Sequence, residues 1–236
     1  RPATKNAIDP EVHAGLERAF GEAEARSEVR AVVLTGAGGS FVSGGDLKYI
    51  RDNPAQETLL LSRRTAALLD RFEASALPVI AAIDGPAYGG GCEIALACDY
   101  RIASATSQFS FRQAAMGLTT GWGASRRLAR LVPRSTAFRL LAFAEVLSAE
   151  QARALHLIDE TVDETAGAAL ARALERVRAI ESVSKRAVAG LKRVLAGVYE
   201  GEAEREWEVF ATLWGGEDHR EALDAFFARR APRFGS

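Results

Sequence analysis

The stretch from Val79 to Cys98 constrains this chain more than any other. Five apolar residues, Val79-Ile80-Ala81-Ala82-Ile83, lead into Asp84-Gly85-Pro86-Ala87-Tyr88-Gly89-Gly90-Gly91-Cys92-Glu93, which runs straight into the apolar segment Ile94 to Cys98. A short apolar run that ends at a glycine-rich turn reads as a buried strand, and the apolar segment beyond the glycines reads as a helix. Glycines at a helix start let the backbone approach a neighbour or ligand closely. The free amides of the first turn also carry the positive end of the helix dipole. The main chain of this turn, more than its side chains, is therefore available for chemistry.

The same device occurs once before. Ala31-Val32-Val33-Leu34 ends at Thr35 and opens the loop Gly36-Ala37-Gly38-Gly39-Ser40-Phe41-Val42-Ser43-Gly44-Gly45-Asp46-Leu47-Lys48. No Gly-Lys-Ser/Thr follows at P-loop spacing, and the glycines do not fit the dinucleotide fingerprint. Asp9-Pro10 signals a helix start, with Val12, Leu16, Ala19 and Phe20 on one face. A helix is predicted from about 57 to 73, a strand over 100–103 and an extended piece over 108–111. Strand, loop and helix alternate in this way through an α/β core with mostly parallel strands. From Ser135 onward, residues 135–144, 148–154, 163–196 and 199–228 read as successive helices with almost no strand signal, and Ser148 with Gln151 forms a capping-box pattern. The expected division is an α/β core over 1–134, carrying both loops, and a helical region over 135–236.

Composition narrows the function classes. A chain of 236 residues with 48% hydrophobic content can bury a large core without staples. Charged residues make up 26% and sum to a net −1, so no overall pull toward nucleic acid or an anionic membrane is expected. Cys92 and Cys98 point to different sides of one helix and cannot easily pair, which suits two buried thiols in a reducing cytoplasm. No run approaches a membrane span, no secretory signal opens the chain, and Arg1-Pro2 reads as though the true start lies upstream. His13, His156 and His219 have no second ligand at metal spacing and read as structural or solvated. Trp207, Phe210 and Trp214 recur at helical spacing, as a packing stripe does.

Taken together, the two loops carry a resemblance. Phe41-x-x-Gly44-Gly45-Asp46-Leu47-Lys48, followed by Gly85-x-Ala87-x-Gly89-Gly90-Gly91-Cys92-Glu93, closely resembles the two oxyanion-hole segments of the crotonase (enoyl-CoA hydratase/isomerase) superfamily. Arg1-Pro2-x-x-x-Asn6-Ala7, the run from Ser148 through Val162, and Phe226 through Phe234 are similar to that family's opening, later helix-and-strand signature and ending. The resemblance implies an α/β fold of crotonase type, a ββα spiral core with a C-terminal helical region. It implies an acyl-CoA thioester as substrate, with coenzyme A arriving as part of it, and no metal or redox cofactor. A homotrimer or dimer of trimers is implied as the assembly.

By motif position, the amides of Gly45 and Gly90 would bind the thioester oxygen. Lys48 would pair with a coenzyme A phosphate beside Asp46, Ala3 and Lys5 fall in the adenine-contacting stretch, and Phe226 and Arg229 would close over the nucleotide. Hydratases of this family use two glutamates. The first is present as Glu93, while the frame Phe109-Ser110-Phe111-Arg112-Gln113-x-x-Met116-Gly117 puts Gln113 at the second. An amide can orient water but cannot shuttle a proton, so ordinary two-carboxylate hydration is not expected. Isomerisation by one glutamate and decarboxylation of a malonyl-type thioester stand beside an altered hydratase, with Arg112 placed to hold a carboxylate. A non-catalytic coenzyme A-binding homologue is a further alternative. Met116-Gly117-x-x-x-Gly121-Trp122-Gly123 and Leu213-Trp214-Gly215-Gly216 are similar to the ethylmalonyl-CoA decarboxylase branch and favour decarboxylation.

Overall fold

The computed structural model describes residues 1–197, 216–230 and 233. Its centre is a four-stranded sheet of β1 (Val32–Thr35), β2 (Val79–Ile83), β4 (Tyr100–Ser104) and β7 (Glu160–Val162), in the order β1-β2-β4-β7. Every neighbouring pair in it is parallel. A smaller sheet holds β3 (Ala87–Tyr88), β5 (Gln108–Ser110) and β6 (Leu147–Ser148), with β3 parallel and β6 antiparallel to β5.

The pattern of β2 explains why it lies in the middle. All five of its residues are buried. A strand covered on both faces reads as a continuous apolar run, and successive side chains point to opposite sides. Ile80 and Ala82, with Ile102 of β4, meet Ala169 and Ala173 of α8 (Ala168–Glu181). Val79, Ala81 and Ile83 face the larger core. There they meet Phe20 of α1 (Pro10–Ala25), Leu68, Leu69 and Phe72 of α3 (Ala55–Ala74), and α4 (Gly90–Ala97). The small residues Ala81 and Ala82, fully buried, let both layers approach.

The capping box predicted at Ser148 and Gln151 opens α7 (Ala149–Ala154), and Asp9 caps α1 through the Val12 amide at 2.9 Å. Two expectations change. The single helix over 163–196 is two, α8 and α9 (Lys185–Gly197), separated at Ser182-Val183-Ser184. The Ser184 hydroxyl accepts from the Ala187 amide at 3.1 Å, a local bond that competes with helix continuation. Strand is also present beyond residue 135, since β6 and β7 each join a sheet. They are two and three residues long, too short to show periodicity. The helix expected over 199–228 is described only as Glu217–Ala228; Trp207, Phe210, Trp214, Pro232 and Phe234 lie outside the described residues. Among the described residues no helix is long and apolar enough to cross a membrane.

Candidate active site

The first glycine loop is fixed from the N-terminus. The Asn6 side-chain amide donates to the carbonyls of Ala37, Ser40 and Phe41 at 2.9, 2.8 and 3.1 Å. Ile8 donates to the Gly44 carbonyl at 2.8 Å, and the Asp46 amide donates to Ile8 at 2.9 Å. Because Gly44 and Asp46 both turn toward Ile8, the Gly45 N–H between them is aimed the other way. No hydrogen bond among the described residues uses it. Asp46 caps α2 (Leu47–Asp52) through the Lys48 and Tyr49 amides, and accepts from Arg1 Nη1 at 2.8 Å. The Tyr49 amide and the Arg1 guanidinium hold its carboxyl below the usual range despite burial. These contacts tie the start of α2 to the N-terminus.

The second loop is pressed against the first. Phe41 donates to the Pro86 carbonyl at 3.0 Å, and Tyr88 to the Val42 carbonyl at 3.0 Å. A Cβ on Gly91 would fall 2.0 Å from the Val42 carbonyl oxygen, so that position is glycine for packing. Gly44 has φ +106, and a Cβ there would lie 3.1 Å from the Gly90 nitrogen. Gly90 is the first residue of α4, where an amide has no intrahelical acceptor. It donates no hydrogen bond among the described residues.

One turn into α4 stands Glu93, 2% exposed. Its Oε1 accepts from Gln113 Nε2 at 2.8 Å, and its Oε2 accepts from the amides of Trp122 and Ala124 at 2.8 and 3.0 Å. Gln113 follows β5 at the start of a short 3-10 turn, Ala114–Met116. Its Oε1 is buried and without a partner among the described residues. Ala124 begins α5 (Ala124–Leu131), so the carboxylate sits at the amide-rich end of a helix.

Trp122, part of the Gly121-Trp122-Gly123 motif, is central in the structure. It is 7% exposed, and a Cβ on Gly90 would fall 2.2 Å from its Cζ3. Its carbonyl accepts from Arg127 Nη1 at 2.6 Å, and Arg127 is held by Asp70 and Glu73 of α3, both at 2.8 Å. Neither Trp122 nor Arg127 belongs to the predicted site residues, because nothing local in sequence marks an indole or guanidinium that reaches across the fold.

The structure thus brings Gly45, Gly90, Glu93 and Gln113 to one locality. The outer residues are less enclosed: Ala3, Lys5, Lys48, Gly121 and Arg229 are exposed. Arg112 is also exposed and lies 5.4 Å from the centre of the Tyr88 ring. Phe226 lies in the helix Glu217–Ala228. Burial pushes the Cys92 and Cys98 thiols up to about 12, which makes neither a nucleophile. His13 is buried with Nδ1 3.3 Å from Thr65 Oγ1, and His156 is exposed. A cavity of about 520 Å³ is lined among others by Asp70, Glu73, Arg101, Arg127 and Lys192. It contains none of the four gathered residues.

Two touching glycine turns, whose Gly45 and Gly90 amides donate to nothing among the described residues, thus lie beside a buried carboxylate on a parallel α/β scaffold. The sequence matches the family "Enoyl-CoA hydratase/isomerase" over residues 1–236, and the chain belongs to that family. It is 33% identical over 237 residues to the short-chain-enoyl-CoA hydratase of Clostridium acetobutylicum, covering 98% of this chain and 89% of that one. It is 35% identical over 243 residues to the (E)-benzylidenesuccinyl-CoA hydratase of Thauera aromatica, covering 99% and 92%. The crystal structure of an enoyl-CoA hydratase from Polaromonas sp. JS666 superposes with a TM-score of 0.92 at 29% identity, over 100% of this chain and 93% of that one.

Proposed function

We propose that the chain is an acyl-CoA lyase that decarboxylates a malonyl-type thioester, with the Gly45 and Gly90 amides sharing the thioester oxygen. The observation carrying this reading is the 2.8 Å bond from Gln113 Nε2 to Glu93 Oε1. Hydration by two carboxylates needs one to activate water while the other exchanges a proton. Here the second group is an amide, and it donates to the first. Decarboxylation asks less: the bond from the α-carbon to the carboxylate breaks, carbon dioxide leaves, and the electron pair passes into the thioester as an enolate. Preorganised donors at the enolate oxygen are worth about 3–4 kcal/mol each. The enolate then takes up a proton at the α-carbon, supplied from solvent water by way of Glu93, the nearby acid/base group. In this reading Arg112 steers the departing carboxylate, Lys48, Ala3 and Lys5 meet coenzyme A, and Phe226 and Arg229 close over it. The thioester supplies its own coenzyme A, no further cofactor is invoked, and three or six copies assemble.

An altered hydratase is the second reading. It is favoured by relatives named hydratases, including the crotonyl-CoA hydratase of Syntrophomonas wolfei at 30% identity, and a lone glutamate also suits isomerisation. Mass spectrometry after incubation with ethylmalonyl-CoA, crotonyl-CoA and a 3-enoyl-CoA separates them. Carbon dioxide and butyryl-CoA from the first support the lyase. A hydrated product from crotonyl-CoA with ethylmalonyl-CoA untouched overturns it, a shifted double bond gives the isomerase, and binding without turnover gives a non-catalytic homologue. Gln113→Glu restores a second carboxylate, and a rise in crotonyl-CoA hydration is expected.

A further inference from the structure

We propose that the Trp122 indole is the wall that limits acyl-group size at the glycine turns, an inference that rests on the thioester reading above. A Cβ on Gly90 would fall 2.2, 2.7 and 2.8 Å from ring atoms Cζ3, Cη2 and Cε3, and a Cβ on Gly45 would lie 4.0 Å from Cζ2. The six-membered half of one indole therefore lies along the main chain of both turns. An oxygen accepting from both amides sits about 2.9 Å from each nitrogen. Its carbonyl carbon and the next carbon along the acyl group then come within a few atoms of the ring.

Trp122 is 7% exposed and its backbone is anchored. The Trp122 main-chain amide donates to Glu93 Oε2 at 2.8 Å, and its main-chain carbonyl accepts from Arg127 at 2.6 Å. The Arg127 side chain is 2% exposed and ion-paired to Asp70 and Glu73. Moving the main chain at Trp122 disturbs the base and a buried guanidinium together. Ile50 closes the other flank, its Cδ1 3.1 Å from a Cβ built on Gly45. Base, amides and a rigid apolar plane thus surround one α-carbon, an enclosure that fits compact acyl groups and opposes long straight chains.

Saturated esters test the wall without depending on the reaction, because none of the proposed chemistries consumes them. Calorimetric titration would use butyryl-, hexanoyl-, octanoyl- and decanoyl-CoA with the wild-type chain, Trp122→Phe and Trp122→Ala. Discrimination by size is worth about 10–200-fold per methylene at most. The octanoyl-to-butyryl Kd ratio is expected to fall at least tenfold in Trp122→Ala and by a smaller factor in Trp122→Phe. Superimposable chain-length profiles overturn the wall while leaving the thioester site standing. If Trp122→Ala does not fold by circular dichroism, Trp122→Phe against wild type decides by the same ratio. A wild-type chain that binds none of the esters overturns the thioester reading, and the wall with it.

Discussion

Glu93 has little freedom before any ligand arrives. A carboxylate offers about four acceptor positions, and Gln113, Trp122 and Ala124 fill three of them. Glu93→Gln would set an N–H against at least one of these donors. The expected outcome is a loss of about 1–3 kcal/mol in urea unfolding, together with a fall in turnover of about a hundredfold or more. Gly91 is constrained sterically. A methyl 2.0 Å from the Val42 carbonyl oxygen must separate the two loops, so Gly91→Ala should cost about 1–3 kcal/mol by the same measurement. Cys92 and Cys98, raised to about 12 by burial, should resist iodoacetamide in the native chain at pH 8 and react only after unfolding, as read by mass.

At the scale of elements, the N-terminal segment and α2 depend on one carboxylate. Asp46 titrates below its ordinary value through the Tyr49 amide and Arg1. A depressed folded pKa contributes stability above the unfolded value, which is lost as pH falls through the folded one. Asp46→Asn should therefore lower the midpoint of thermal unfolding near neutral pH. The gap to wild type should narrow below about pH 4, the ordinary Asp range; a gap constant across that range would contradict the assigned cap. Such caps were legible in part. Asp9-Pro10 and Ser148 with Gln151 could be read because the signal spans only a few residues. The short α2 could not, since the Asp46 amide at its start pairs with Ile8 across the first loop.

At the scale of the molecule, Lys192 ties α9 to the core. Its ammonium donates to the carbonyls of Phe72 and Leu77 at 3.0 and 2.8 Å and to Asp99 at 2.7 Å. Lys192→Met keeps the apolar stem and leaves those acceptors short of a donor, at a cost of about 1–3 kcal/mol. Hydrogen exchange should then rise in α9 before it rises in β2, which is buried on both faces. Sedimentation provides a check on assembly: three or six times the 25.3 kDa chain is expected, and a monomer would contradict the proposed trimer.

The apolar runs that became β1, β2 and β4, the glycine turns and Glu93 are local in sequence, and the sequence by itself determined them. Burial of a strand and the backbone demands of a tight turn restrict residue type within a few positions. Tertiary structure alone decided what surrounds Glu93. The carboxylate draws its donors from positions 113, 122 and 124, and the main-chain carbonyl at 122 accepts from a guanidinium at 127 paired to α3. Those groups are brought together by the packing of α3, α4 and α5, and no periodicity or short motif records contacts made across separate elements.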